Sequence, residues 1–155
     1  MQAWGILSLA DPLTGEIPVE AAHASETVRF AAGEGLLTQA QSAYQRLRGR
    51  CERVCVAAAG SACGVAASLA SQLPAELLAL LRGNVFGSRT GAREVDRMNA
   101  FARRNLPLIS AEILLVDPSS AEERGFVRHA GLQTRKITCD FSGNVYNTIC
   151  EIITR

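Results

Sequence analysis

Two side chains able to act as nucleophiles, the hydroxyl of Ser61 and the thiol of Cys63, stand either side of Ala62 in the run Gly60-Ser61-Ala62-Cys63-Gly64. An apolar stretch precedes the run (Val54, Cys55, Val56, Ala57, Ala58) and an alanine-rich stretch follows it. The pattern reads as a tight turn from a strand into a helix. Such a turn, flanked by small residues, lifts one side chain above the edge of a sheet. A serine or cysteine there attacks a carbonyl only with a base close by, most often a histidine oriented by an acid. The chain has two histidines. His23 follows the loop leaving the first strand, on the edge where Ser61 is expected. His129 comes late in a helix, roughly 15 Å along from Ser119 at 1.5 Å per residue, which carries it toward the opposite edge. Asp117 and Asp11 each end a strand on the edge where open α/β sheets bind ligands, and either carboxylate is placed to orient His23.

Each of these residues also has a plainer role. Ser61 suits a helix cap. Cys63, in the first helical turn where the dipole favours thiolate, also suits a thiol packed on the sheet. His23 suits a solvated surface, and Asp followed by Pro is an ordinary turn starter. Gly60, Ser61, Ala62 and Gly64 form a second candidate, a ligand-binding turn that holds an anion through free backbone N–H groups. G-x-G-x-x-G and G-x-x-x-x-G-K-[ST] are both missing, which argues against a dinucleotide or a nucleoside triphosphate. Arg82, Arg89, Arg93 and Arg97 add positive charge near the same edge, where a solvated arginine face is the ordinary reading.

The elements that must position these residues follow from periodicity and turn chemistry. Trp4 to Leu9 reads as a strand, and residues 11–18 as a loop with two prolines and a glycine. Val19 to Ala32 is ambiguous: Ala21, Ala22, Ala24 and Glu26 favour helix, whereas Thr27, Val28, Arg29 and Phe30 favour strand. Leu36 to Arg48 carries Leu36, Leu37, Ala40, Ala43, Tyr44 and Leu47 at helical spacing and stops at Gly49. Leu77 to Phe86 reads as a buried strand whose first half can also extend the preceding helix. A loop at 87–91 leads to a helix from Ala92 to Asn105, closed by Pro107. A strand from Ala111 to Val116 precedes a helix capped by Ser119 or Ser120, with Glu122 and Glu123 in its first turn. Arg135 to Phe141 reads as a last strand and Asn144 to Ile153 as a terminal helix. Strand and helix alternate throughout, so the expected fold is α/β, a three-layer sandwich around a mostly parallel sheet of about five strands. No linker splits the chain, and residues 1–155 read as a single domain.

Composition narrows the partners. With 155 residues and 48% hydrophobic residues the chain can bury a substantial core. A net charge of +1 gives no electrostatic case for nucleic acid or an anionic membrane. No apolar run reaches the ~20 residues that cross a bilayer, and the first residues lack a basic leader segment, so a cytoplasmic protein is expected. Five cysteines, an odd number without a C-x-x-C pair, fit buried free thiols in a reducing compartment. No metal and no cofactor are expected.

From Leu37 to Phe86 the chain resembles the α/β-hydrolase superfamily. The residues that carry the likeness are the helix LLTQAQSAYQRLRGR, the strand-turn-helix RVCVAAAGSACGVAASLASQLP and the strand LLALLRGNVF, in the order that family shows. By the same likeness, ISAEILLVD resembles the strand before the acidic triad member, and RKITCDFSGN the strand and loop that present the histidine. The resemblance implies a reduced α/β-hydrolase-like domain with a nucleophile elbow. Laid on G-x-S-x-G, Gly60 and Gly64 are the glycines and Ala62 stands in the nucleophile slot. Ser142, Gly143 and Asn144 fill the loop where a histidine belongs, and no His-Gly oxyanion motif follows Trp4 to Leu9.

Three readings follow. The first is a non-catalytic relative that binds a small molecule at the carboxyl edge of the sheet, or a protein partner. The second is a divergent esterase or thioesterase using Ser61 or Cys63 with His23 and Asp117. The third is a module that forms a homodimer through an uncovered sheet edge.

Overall fold

The computed structural model describes residues 2–10, 24–29, 35–130 and 134–137. Its strands are β1 (Gln2–Ala10), β2 (Ala24–Arg29), β3 (Cys51–Ala59), β4 (Leu77–Leu81), β5 (Glu112–Val116) and β6 (Thr134–Ile137). Between them lie the helices α1 (Leu36–Arg48), α2 (Cys63–Gln72), α3 (Arg93–Asn105) and α4 (Ser120–Ala130). The strands form one sheet in the order β2-β1-β3-β4-β5-β6, and every neighbouring pair is parallel. The α/β reading therefore holds, with six described strands against the five expected. The extra strand, β2, falls in the ambiguous segment. Pairing along β1, from Gly5 opposite Ala24 to Ala10 opposite Arg29, makes strand the outcome over the alanine-rich helix preference. The expected loop at 11–18, His23, residues beyond 137 and the expected terminal helix lie outside the described residues.

From β2 to β3, and on through β4 and β5 to β6, every crossover moves in one direction across the sheet. Right-handed crossovers then put α1 to α4 on one face. The core agrees. Leu7, Val56, Leu80 and Leu115 pack beneath Leu47 of α1, Leu69 of α2, Met98 of α3 and Phe126 of α4. The alternate residues, among them Ile6, Cys55, Ala57, Ala79 and Leu114, form a separate buried cluster on the other face. Burial on both faces is why β3 and β4 read as unbroken apolar runs rather than as alternations.

β4 stops five residues short of the expected Phe86. Arg82 adopts a left-handed conformation (φ 45°), donates its N–H to Val116 O at 3.0 Å, and hands the chain to Gly83 and Asn84, both turn formers. Helix α2 ends at Gln72 and does not run on into Leu77.

At the amino edge of the sheet one side chain ties three segments together: α1, the start of β3 and the loop before β4. The Arg48 guanidinium donates to Tyr44 Oη, to the carbonyls of Glu52 and Pro74, and to both carboxylate oxygens of Glu76. Glu76 in turn accepts the Val54 N–H at 2.7 Å. Arg48→Ala removes all of these donors from the end of α1. It is expected to cost about 1–2 kcal/mol, read as a lower urea midpoint at unchanged slope.

Candidate functional site

The link between β3 and α2 is a 3-10 turn over Gly60–Ala62. Ala59 is still extended (φ −128°, ψ 143°), whereas Ala62 (φ −74°, ψ −13°) and Cys63 (φ −61°, ψ −34°) are helical. The single left-handed residue in this link is Gly60, at φ +61°. The sharp bend therefore falls two residues earlier than the slot assigned to Ala62. The small residues two positions either side of the apex are Ala58 and Ala62, both fully buried. The apex residue has no side chain.

The other expected site residues divide accordingly. Ser61 sits half-buried in the turn. The positions that cap the turn and the helix are Ala59 and Ala62, neither with a side-chain acceptor, so the capping role read for Ser61 falls to residues that cannot perform it. Cys63 has no solvent exposure and its Sγ lies 3.7 Å from Leu81 O, a thiol packed on the sheet. Gly64, expected to offer a backbone N–H to a ligand, lies within α2 and meets α3: a Cβ there would come 2.0 Å from Asn99 Oδ1. Asp117 ends β5 as expected, left-handed at φ 48°, and accepts from Arg82 Nε at 2.9 Å. His23 and Asp11 lie outside the described residues. His129 is exposed and stacks on Phe86, with centroids 5.8 Å apart and ring planes 3° apart.

Topology gives the turn its importance. Strand β1 lies between β2 and β3, so the connections leaving the carboxyl ends of β1 and β3 go opposite ways. That reversal opens the crevice in which open α/β sheets bind ligands, and Gly60 stands at its edge.

Behind the turn lies a buried polar centre that the sequence concealed. Glu122 of α4 is 1% exposed. One carboxylate oxygen accepts the Phe86 N–H, and the other, Oε2, has no hydrogen-bond partner. A Cβ at Gly83 would stand 3.1 Å from both Glu122 Oε2 and Cys63 Sγ, so both side chains pack against this glycine. Burial pushes the Glu122 carboxyl above its usual range, against the opposing pull of the Phe86 N–H and the Arg103 charge. The amide oxygens of Asn84 and Asn99 are likewise buried without a partner. Glu122 had read as a helix-dipole carboxylate, and the sequence holds no cue that it turns inward. Asn99 did carry one: a polar residue on the apolar face of an amphipathic helix, beside Val95, Met98 and Ala102. Among the described residues no group of His, Cys, Asp and Glu is arranged to hold a metal ion, and no helix is long and apolar enough to cross a membrane.

No protein-family model matches the chain. No curated protein matches it in sequence. Its architecture does recur among solved structures. One, described under LipS and LipT, two metagenome-derived lipolytic enzymes, aligns with a TM-score of 0.73 at 11% sequence identity, over 99% of this chain and 91% of that one. At that identity the likeness is one of fold. The parallel sheet, its crossovers and this neighbour together make the chain α/β-hydrolase-like in architecture.

Proposed function

We propose that this protein is a non-catalytic α/β-hydrolase-like scaffold that binds a small molecule at the carboxyl edge of its sheet, without the serine–histidine–acid chemistry of that fold. The observation that carries the reading is Gly60: the residue at the bend has φ +61° and no side chain to present. Burial of Cys63 adds support, because a thiol with no exposure has no path to a substrate. The placement of the bend beside the topological switch point is what favours retained binding there. The buried cysteines Cys51, Cys55 and Cys63 favour a reducing compartment and so the cytoplasm.

The test is intact mass spectrometry with peptide mapping after exposure to a fluorophosphonate and, separately, to iodoacetamide at neutral pH. The expected result is no serine adduct and only slow, unselective cysteine labelling. A single fast adduct on Ser61 or Cys63, abolished by His23→Ala, would sink this reading and establish the divergent esterase or thioesterase in its place.

A further inference from the structure

A groove of about 660 Å³ opens between α3 and the loop that follows β4. Its volume is within the roughly 300–1,000 Å³ typical of small-molecule sites. Four arginines line it: Arg89 from the loop, and Arg93, Arg97 and Arg103 from α3. Phe86 supplies an apolar wall, and Asp96 is the one carboxylate in the lining. The whole chain carries a formal charge of +1, yet this one concavity gathers four guanidinium groups against that single carboxylate.

The two carboxylates nearest the arginines are Asp96, which is held by the loop, and Glu94, which pairs with Arg97. Asp96 accepts from Thr90 N, Thr90 Oγ1 and Gly91 N, which fastens the loop to the helix and holds its carboxyl below the usual range. Glu94 pairs with Arg97 at 2.8 Å and does not line the groove. Arg103 donates to Val85 O at 2.6 Å. Arg89 and Arg93 make no ion pair or hydrogen bond among the described residues. Arg93 and Arg97, four residues apart on one helix face, repel each other. Arg93 is also the first residue of α3, at the end of the helix dipole that disfavours a cation. All four arginines are exposed, and an oxyanion bound in the groove would relieve the repulsion between them and match the planar guanidinium fork.

We infer that this groove binds a small organic phosphate, with the phosphate between Arg89, Arg93 and Arg97 and the organic part against Phe86. The proposal stands apart from the elbow reading, since the groove contains none of residues 60–64, and either can fail without the other.

Phenyl phosphate is the probe, titrated into the full chain by calorimetry and by amide chemical shifts. Phenol and inorganic phosphate are the comparison ligands, all at matched ionic strength. Saturable binding of phenyl phosphate, tighter than either comparison ligand and shifting the amides of Phe86 and residues 87–97, is the expected result. The double variant Arg93→Gln with Arg97→Gln is expected to weaken it by about tenfold or more. Arg50→Gln, at the amino edge and paired with Glu26 at 3.2 Å, is expected to leave it unchanged. Circular dichroism checks that each variant remains folded. The proposal is overturned if phenyl phosphate shows no saturable binding, if phenol binds as tightly, if the double variant binds like the parent, or if Arg50→Gln weakens binding equally. Inorganic phosphate binding as tightly as phenyl phosphate overturns the role given to Phe86.

Discussion

Gly64→Ala is expected to lower the unfolding free energy by about 3 kcal/mol, at the upper end of ordinary overpacking costs. The added methyl would stand 2.0 Å from Asn99 Oδ1 and 3.2 Å from the Asn99 backbone nitrogen. Asn99 is 3% exposed and its Nδ2 donates to Asn84 O at 3.4 Å, so the methyl is accommodated only by rotating that amide out of its bond or by moving α3 away from α2. That movement would strain a second contact, since the single Ser68 O–H is shared between Gly64 O of its own helix at 2.7 Å and Met98 O across the interface at 3.2 Å. Asn99→Ala alone leaves a small cavity and is expected to cost about 1–2 kcal/mol. Combined with Gly64→Ala it vacates the space the new methyl needs, so the double variant should be more stable than Gly64→Ala alone. Urea unfolding of the four proteins gives the coupling directly. A Gly64→Ala protein within about 0.5 kcal/mol of the parent, or strict additivity in the cycle, would refute the close approach of the two helices.

The second large effect concerns Glu122. Glu122→Ala removes the acceptor of the Phe86 N–H and empties a buried volume beside Gly83, at an expected cost of about 2–3 kcal/mol. Glu122→Gln keeps an acceptor and abolishes ionisation, which isolates the charge. The folded-state value of this carboxyl lies above the ordinary 4.5. The stability contributed by its protonated form is therefore fully present below 4.5 and is lost as pH rises through the raised folded value. The difference between Glu122→Gln and the parent should accordingly move in favour of glutamine as pH is raised from about 4 to about 8. Urea midpoints measured across that range decide it. A difference that stays flat, or drifts the other way, would mean that the buried carboxylate is well solvated or well paired in the native protein.

Much of the fold was legible because it rests on patterns that tertiary context did not overturn. Helix α1 matches its expected limits at Leu36 and Arg48, where a clean apolar stripe meets a glycine stop. The central strand β3 announced itself as an apolar run before a turn, whereas the segment that forms β4 read equally as an extension of the preceding helix. The sequence was ambiguous where neighbours decide the outcome: β2 is a strand because β1 offers it a partner, and a single sequence does not show that partner. At the candidate site, spacing identified the bend between β3 and α2 but misplaced its apex. G-x-S-x-G is satisfied by glycines at 60 and 64, whereas the backbone turns at Gly60 with alanines as the flanking small residues. A glycine at the apex is invisible to a search for a nucleophile because that search looks for a side chain. The inward turn of Glu122 is a property of how α4 faces the β4 loop, and no spacing rule along the chain encodes it; the arginine cluster was partly legible, since Arg89, Arg93 and Arg97 read as charge near one edge, and the groove adds Arg103 and leaves out Arg82.

The bare apex also changes the mechanical state of the turn. A side chain held in the left-handed region costs roughly 1–2 kcal/mol, and a reactive elbow carries that cost as a loaded spring. Glycine enters the same region freely, so the bend at Gly60 is a slack joint. A domain of this size has a margin of only about 5–15 kcal/mol between folded and unfolded. Releasing one strained residue at the carboxyl end of a central strand recovers a noticeable part of that margin, which would otherwise be committed to keeping a nucleophile exposed. Under the non-catalytic reading proposed above, the frame that positions a nucleophile elsewhere is free to serve as support, and the loops around it can diverge under demands other than catalysis.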